Sequence, residues 1–380
     1  MSKQYKLSII IPTKNRAKYC LAAIRQISKD VPNAQIVIQD NSDTRCLEED
    51  IVSLSLENVL YHYHEGAISF VDNFSEAISF ASGEYLCMIG DDDGVLSNIM
   101  DVVVYAEQNG YDAVVPALSS VYTWPSATPF IKNAENGYLC FAYAKPNVVK
   151  EISAKKGLKQ LLALGGQDYQ SCELPRLYHG LVKRSVLEKV YQKVGTYFKG
   201  LTPDIYMAVA LSAVCEKVAK LEYPFTVSGI CPGSGSSNSA TGKHTGELKD
   251  APHFIGHTDY IWDEKAPAIY SVESIWAETV MKALFDFDMQ KEYEAFRIDV
   301  LDAICLRKYP QFKSIIIQHA KLYKVGRCRL FFVGIGYATK KLFLRVWKRL
   351  TGKKGSVKKL YHILDIESAV TTTEELLSKA

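Results

Sequence analysis

Gly83-Glu-Tyr-Leu-Cys-Met-Ile-Gly-Asp-Asp-Asp-Gly-Val-Leu96 decides how the rest of the chain is read. Tyr85 to Ile89 is a short apolar run that stops at Gly90, the pattern of a buried strand, and three carboxylates, Asp91, Asp92 and Asp93, follow at once. Adjacent carboxylates repel unless a cation lies among them. Hard oxygen ligands suit Mg²⁺ or Mn²⁺, which take one or two protein carboxylates and complete their shell with water and substrate phosphates. The competing reading is a solvated Asp-Gly turn.

The surroundings decide against the plain turn. Leu7-Ser-Ile-Ile-Ile11 is a buried-strand run closed by Pro12, and Ala17 to Ser28 carries Leu21, Ile24 and Ile27 at helical spacing. Ala34 to Ile38 repeats the strand, leads into the polar turn Gln39-Asp40-Asn41-Ser42-Asp43, and is followed by a helix from about Leu47 to Leu54. Val59 to Tyr63, Ser69 to Ala81 and Ser97 to Gln108 continue the alternation as strand, helix and helix around the quoted stretch. Alternating strands and helices predict a mostly parallel sheet with helices on both faces. Ligands bind such sheets outside the carboxyl ends of the strands, so the residues to watch are Pro12 to Arg16, Asp40 to Asp43 and Asp91 to Asp93. Neither a GxGxxG nor a GxxxxGK[ST] is present to account for phosphate binding.

Ile9-Ile-Ile-Pro-Thr-Lys-Asn-Arg16, Val37-Ile-Gln-Asp-Asn-Ser42, Gly83-Glu-Tyr-Leu86 and Gly90-Asp-Asp-Asp93 come in an order and spacing that resemble family 2 glycosyltransferases of the GT-A fold, of the bacterial surface-polysaccharide type. The resemblance covers roughly residues 5 to 230. It implies a GT-A (nucleotide-diphospho-sugar transferase) α/β fold, a nucleotide-sugar donor, Mn²⁺ or Mg²⁺, and transfer with inversion at the anomeric carbon. Position by position, it places Pro12, Thr13, Asn15 and Arg16 in the loop beside the nucleotide and Asp40 on the base. Asp91 falls near the ribose, with Asp92 and its neighbour Asp93 at the metal. Two positions depart from the common pattern: Lys14 stands where Tyr is usual, and Gln39 where a second Asp is usual.

Inverting transfer needs a base for the acceptor hydroxyl, and the metal cluster does not serve both roles. The resemblance points to Asp204 in Gly200-Leu-Thr-Pro-Asp-Ile-Tyr206. Thr202 and Pro203 are expected to start a helix there, with the carboxylate in its first turn, where the helix dipole keeps it ionised. Asp168 and Glu173 are reserve candidates, and His179 is a further acceptor-side candidate. Val114 to Asn147, rich in Pro and aromatics, is read as an insertion on the acceptor side. Tyr178 to Lys183 reads as a strand entering a helix at Ser185, the expected N-cap.

The Gly- and Ser-rich stretch Ser228 to His244 reads as a lid over the donor diphosphate or as a linker. As a lid it offers Lys243 to phosphate and His244 to metal, with His253 and His257 behind them. The expected organisation is a catalytic domain over 1–227, the mobile loop over 228–258, a helical cap over 259–323 from helices at Tyr260 to Arg297 and Leu301 to Tyr323, and a basic amphipathic region over 324–380.

The composition is that of an ordinary globular chain: 380 residues, 48% hydrophobic and 23% charged. Nine cysteines without a CxxC pair read as reduced thiols, and Leu7 to Ile11 is too short for the core of a signal peptide, so the expected location is the cytoplasm. The net charge of +3 conceals an asymmetry, because Lys321 to Leu360 holds thirteen Lys or Arg and no Asp or Glu. Leu342, Phe343, Val346, Trp347 and Leu350 recur at helical spacing among those cations, as in a helix lying on an anionic membrane, and the apolar run Leu330 to Ala338 is too short to span one. No nucleic-acid motif accompanies the charge. The expected partners are therefore a nucleotide-sugar, a lipid-linked or oligosaccharide acceptor, and the inner face of the cell membrane. The alternative is a non-catalytic sugar-nucleotide-binding scaffold of a polysaccharide assembly complex.

Overall fold

The computed structural model describes residues 4–125, 127, 136–142, 144–232, 245–254, 260–350 and 357–380, the side chains of 250, 252, 340–342 and 344–350 excepted. The first half alternates as expected. β1 (Leu7–Thr13), α1 (Ala17–Asp30), β2 (Gln35–Asp40), α2 (Glu48–Leu54), β3 (Val59–Tyr63), α3 (Phe70–Ser79) and β4 (Tyr85–Met88) lead through the acidic loop to β5 (Gly94–Val95) and α4 (Ile99–Asn109). The reasons are local: α1 buries Cys20, Ala23, Ile24 and Ile27 on one stripe, and Ser69 caps α3 by accepting the Asp72 N–H at 3.0 Å.

The middle of the chain adds β6 (Ala113–Val115), β7 (Ser120–Thr123), β8 (Tyr138–Phe141), β9 (Val149–Ile152), α5 (Ala154–Ala163), β10 (Leu181–Lys183), α6 (Arg184–Val194), α7 (Pro203–Val214), β11 (Val218–Leu221) and β12 (Thr226–Ile230). The main sheet runs β3-β2-β1-β4-β10-β6-β11-β9. β10 and β9 are antiparallel to their neighbours and the other pairs are parallel. Helices cover both faces with two separate apolar clusters. Lys183, not Ser185, holds the N-cap position of α6, and no side chain caps that helix.

Beyond the loop come β13 (Thr245–Glu247), β14 (Ile269–Ser271), α8 (Val272–Asp286), α9 (Gln290–Glu294), α10 (Ile298–Lys308), α11 (Lys313–Leu322) and α12 (Arg327–Leu350). The cap is helical only from Val272, where Ser271 and Ser274 close a reciprocal capping box. Residues 260–268 are not helical.

The C-terminal end departs most from expectation. β15 (Lys358–Tyr361) pairs antiparallel with β8, and α13 (Ile366–Ser378) packs against β5, β7 and β12. A second sheet, β15-β8-β7-β12-β5, thus joins the last strand to the segment behind the acidic loop. A Cβ on Gly94 would lie 2.7 Å from Val370 and 2.9 Å from Ile366, so only glycine lets α13 approach so closely. The last part of 324–380 is a component of the catalytic body rather than of a separate basic region.

The cap also contains an isolated acid. Glu278 of α8 is 1% exposed; one oxygen accepts the Tyr260 hydroxyl at 2.5 Å and the other has no partner among the described residues. Burial pushes its carboxyl up from 4.5 to about 8. The folded state then holds a proton that the unfolded chain releases, so this contribution to stability is complete below the ordinary carboxylate range and is lost as pH rises toward 8. Glu278→Gln is expected to stabilise the protein at pH 8.5 by roughly 2–4 kcal/mol, with the advantage vanishing near pH 5. Melting temperatures of both proteins across that range test it, and a constant difference would refute the assignment.

Candidate active site

β1 to β4 are parallel and adjacent, so their carboxyl ends open on one edge of the sheet. Register places Thr13, Asp40 and Tyr63 side by side there. Pro12 is buried within β1, and the Thr13 hydroxyl donates to Asp91 Oδ2 at 2.6 Å. Arg16 reaches the same carboxylate, Nε at 3.0 Å from Oδ2 and Nη2 at 2.8 Å from Oδ1. Burial pushes the Asp91 carboxyl up and Arg16 opposes it. Burial acts in turn to lower the Arg16 pKa, but Asp91 and Asp92 outweigh it and keep the guanidinium charged.

The other two aspartates have different surroundings. Asp93 Oδ2 accepts the Gly90 N–H at 2.6 Å and the Tyr178 hydroxyl at 3.2 Å, and lies 3.2 Å from His179 Nε2; Oδ1 accepts the Gly229 N–H at 2.6 Å. Both oxygens of Asp93, expected at the metal, accept hydrogen bonds from within the protein and the side chain is buried, so it acts as an internal post for the loop. His179, with Nδ1 3.0 Å from Thr226 Oγ1, braces that post from the interior and does not face an acceptor.

Asp92 Oδ2 accepts the Cys231 N–H at 2.9 Å, and its main-chain carbonyl accepts Trp124 Nε1–H at 2.9 Å. Trp124 is itself wedged edge-on against Tyr19, ring centroids 4.9 Å apart. Gly229 passes so close that a Cβ there would meet the Asp92 carbonyl oxygen at 1.8 Å. The Cys231 thiol also hydrogen-bonds this carboxylate. Burial and the neighbouring Asp93 both push this carboxyl up, and a cation is what such a carboxylate lacks. Among the described residues no three His, Cys, Asp or Glu side chains form a cage. A carboxylate oxygen is the hard kind of ligand that Mg²⁺ or Mn²⁺ takes, with water and phosphate completing the shell. Trp124, Cys231 and Gly229 were not among the sequence-based candidates, because their contacts with Asp92 and Asp93 span 32, 139 and 136 positions.

Asp40 is fully buried at the end of β2; Oδ1 accepts the Ser42 N–H at 2.8 Å and Oδ2 the Tyr61 hydroxyl at 2.9 Å. It forms an Asx turn, with one accepted bond on each carboxylate oxygen. Gln39 is absorbed by a network with Glu76 and His62, at 2.9 and 2.8 Å. Asn15, with φ +57°, clasps Asp43 through two 3.0 Å bonds and fixes the rim of the edge. Lys14 Nζ donates to Asn41 Oδ1 at 3.0 Å, and Arg45 lies 4.7 Å over the Tyr63 ring. These side chains present polar and aromatic surface beside Asp40 at this edge of the sheet.

Asp204 stands in the first turn of α7 behind Pro203, as expected, although the Thr202 hydroxyl makes no capping bond. Tyr169 donates to Asp204 Oδ2 at 2.7 Å. Burial pushes the carboxyl up; the Tyr169 hydroxyl and backbone N–H groups oppose it. Asp204 borders a closely packed crevice, too narrow to admit a water, with Phe74, Met88, Tyr178, Phe198 and Met207. Tyr178 lines that crevice and also bonds Asp93, so a single side chain separates Asp204 from the acidic loop. Of the reserve acids, Asp168 accepts the Tyr337 hydroxyl at 3.0 Å and Glu173 pairs with Lys220 at 3.3 Å. His253 packs on Tyr270, centroids 5.8 Å apart. Lys243, His244 and His257 lie outside the described residues. So does most of the expected lid; its first residues, Ser228 to Ile230, are strand.

Residues 8–144, which carry β1 to β4 and the acidic loop, match the family model described as glycosyl transferase family 2. They form a family 2 glycosyltransferase domain. The remainder of the sheet, with its flanking helices and helical C-terminal part, completes the expected GT-A arrangement around this transferase domain. A curated relative from Campylobacter jejuni, GalNAc(5)-diNAcBac-PP-undecaprenol beta-1,3-glucosyltransferase, is 23% identical over 190 residues, 48% of this chain. The chain spans about half, 53%, of that relative's length. Among solved structures, S. aureus TarS 1–349 in complex with UDP-GlcNAc is 13% identical over 88% of this chain and 92% of that one, with a TM-score of 0.48. Mannosyltransferase PcManGT from Pyrobaculum calidifontis, in complex with GDP-Man and Mn²⁺, is 13% identical over 84% and 87% of the two chains, with a TM-score of 0.39. Among the described residues, no helix is long and apolar enough to cross a membrane.

Proposed function

We propose that the chain moves a sugar, with inversion, from a nucleotide-diphosphate sugar to a hydroxyl of a lipid-linked polysaccharide precursor at the inner face of the cell membrane. The observation that carries this reading is the division of labour in the acidic loop of a family 2 domain. Asp91 is matched by Arg16, Asp93 is consumed internally, and the Asp92 carboxylate is held, among the described residues, by Cys231 alone at the carboxyl edge of the sheet. Asp92 is the residue to hold Mn²⁺ or Mg²⁺, and the bound ion supplies positive charge to the departing diphosphate. Arg16, partly exposed beside it, adds a fixed cation on the same side.

The acceptor hydroxyl attacks the anomeric carbon as the bond from that carbon to the diphosphate oxygen breaks, and its proton passes to Asp204. A carboxyl raised by burial is better matched to a proton near neutral pH than an ordinary one. The printed name of the C. jejuni relative, a glucosyltransferase acting on a PP-undecaprenol substrate, supports the lipid-linked acceptor.

Calorimetric titration with UDP, GDP, CDP and dTDP, each with and without Mn²⁺, tests the proposal. Binding of one nucleotide is expected, at least tenfold tighter with the metal. Binding of none would overturn the reading and leave the fold as a scaffold.

A further inference from the structure

The helix α12 presents two unlike faces. Toward the protein, Leu330 is 3% exposed in a cluster with Ala303 and Ala320, Val333 joins that cluster, and Arg329 pairs with Asp299 at 2.9 Å. Tyr337, two turns on from Leu330, donates to Asp168 at 3.0 Å. On the outward side Phe331 is 64%, Phe332 69% and Ile335 43% exposed. These three fall on one stripe by helical period, where a water-facing helix carries polar residues. The two phenylalanines form an edge-to-face pair, with centroids 5.7 Å apart, and Leu322, which ends the preceding helix, is 73% exposed. The surrounding sequence from Lys321 to Leu360 has thirteen Lys or Arg and no acid. The side chains of Leu342, Val346, Trp347 and Leu350 lie outside the described residues.

An aromatic stripe in a purely cationic stretch complements one surface in both respects: an anionic bilayer, apolar within and negative at the headgroups. We infer that α12 docks its Phe331-Phe332-Ile335 stripe into an anionic lipid surface, and that its opposite face, through Tyr337 and Asp168, holds the loop that carries Tyr169 against Asp204. The inference deepens the lipid-linked acceptor reading and rests on it. Binding has two components, a salt-sensitive one from the cations and a salt-resistant one from the stripe.

Co-sedimentation of the full chain with phosphatidylcholine vesicles, with and without 30% phosphatidylglycerol, tests it at low and at physiological salt. The wild type is expected to sediment with the anionic vesicles at both salt concentrations and to stay in solution with the neutral ones. The double variant Phe331→Ser/Phe332→Ser is expected to lose at least tenfold in partitioning at physiological salt. Nucleotide titration of the same preparations reports separately on the transferase reading and on folding: vesicle binding without nucleotide binding fails that reading alone. Equal sedimentation of wild type and variant, or wild-type binding confined to low salt, would overturn the docking face.

Discussion

Asp92→Asn is expected to lower turnover about a thousandfold or more, equivalent to roughly 4 kcal/mol of transition-state stabilisation. The magnitude follows from the arrangement of the loop. Asp91 cannot substitute, since both its oxygens are within 3.0 Å of Arg16 and it also accepts from Thr13. Asp93 cannot turn outward without leaving the Gly90 and Gly229 N–H groups without their acceptor in a buried site. Asparagine at position 92 retains an acceptor for the Cys231 N–H while removing the charge, so the fold should persist and the melting temperature should stay within a few degrees. Calorimetry with the preferred nucleotide should show that the gain from Mn²⁺ is gone. A fully active Asp92→Asn enzyme would sink both the metal assignment and the donor site built on it.

The second large effect is expected at Asp204. Replacing it by Asn should reduce kcat by about 10²- to 10⁴-fold, the usual worth of a general base, with nucleotide affinity unchanged because the residue lies across Tyr178 from the acidic loop. Its proton affinity offers an independent readout. The Tyr169 hydroxyl donates to the carboxylate and so favours the charged form; burial works the other way. Tyr169→Phe removes the opposing hydrogen bond, so the carboxyl should rise further and the acid limb of kcat/KM should move to higher pH. An unshifted profile, or an Asp204→Asn enzyme that keeps more than a tenth of its rate, would place the base elsewhere, with Asp168 the next carboxylate to test.

The alternating strands and helices of the first hundred residues could be read directly from the chain because their causes are local. Leu7 to Ile11, Ala34 to Ile38 and Tyr85 to Ile89 are apolar runs buried on both faces of a sheet, and the helices between them carry their stripes at the proper period. The parallel direction then obliges the loops after those strands to meet at one edge, so the sequence by itself determined the fold class and the edge at which the candidate site lies. It also determined that Asp204 would lie in a first helical turn.

Which aspartate does what was decided only by the tertiary structure. The partners of the three neighbouring carboxylates, Arg16, Tyr178, His179, Gly229 and Cys231, come from strands and loops as many as 139 positions away, beyond the reach of any local pattern. The same holds for Asp40, whose inward turn depends on Tyr61 in the neighbouring strand. The return of the last strand and helix to the back of the acidic loop was likewise settled by packing. Lys358 to Tyr361 carries no buried-strand pattern of its own, being mostly exposed, and becomes a strand through the edge that β8 offers it. Local propensity and periodicity act over a few residues, whereas the charge, hydrogen bonding and burial of a site are set by whatever the folded chain brings beside it.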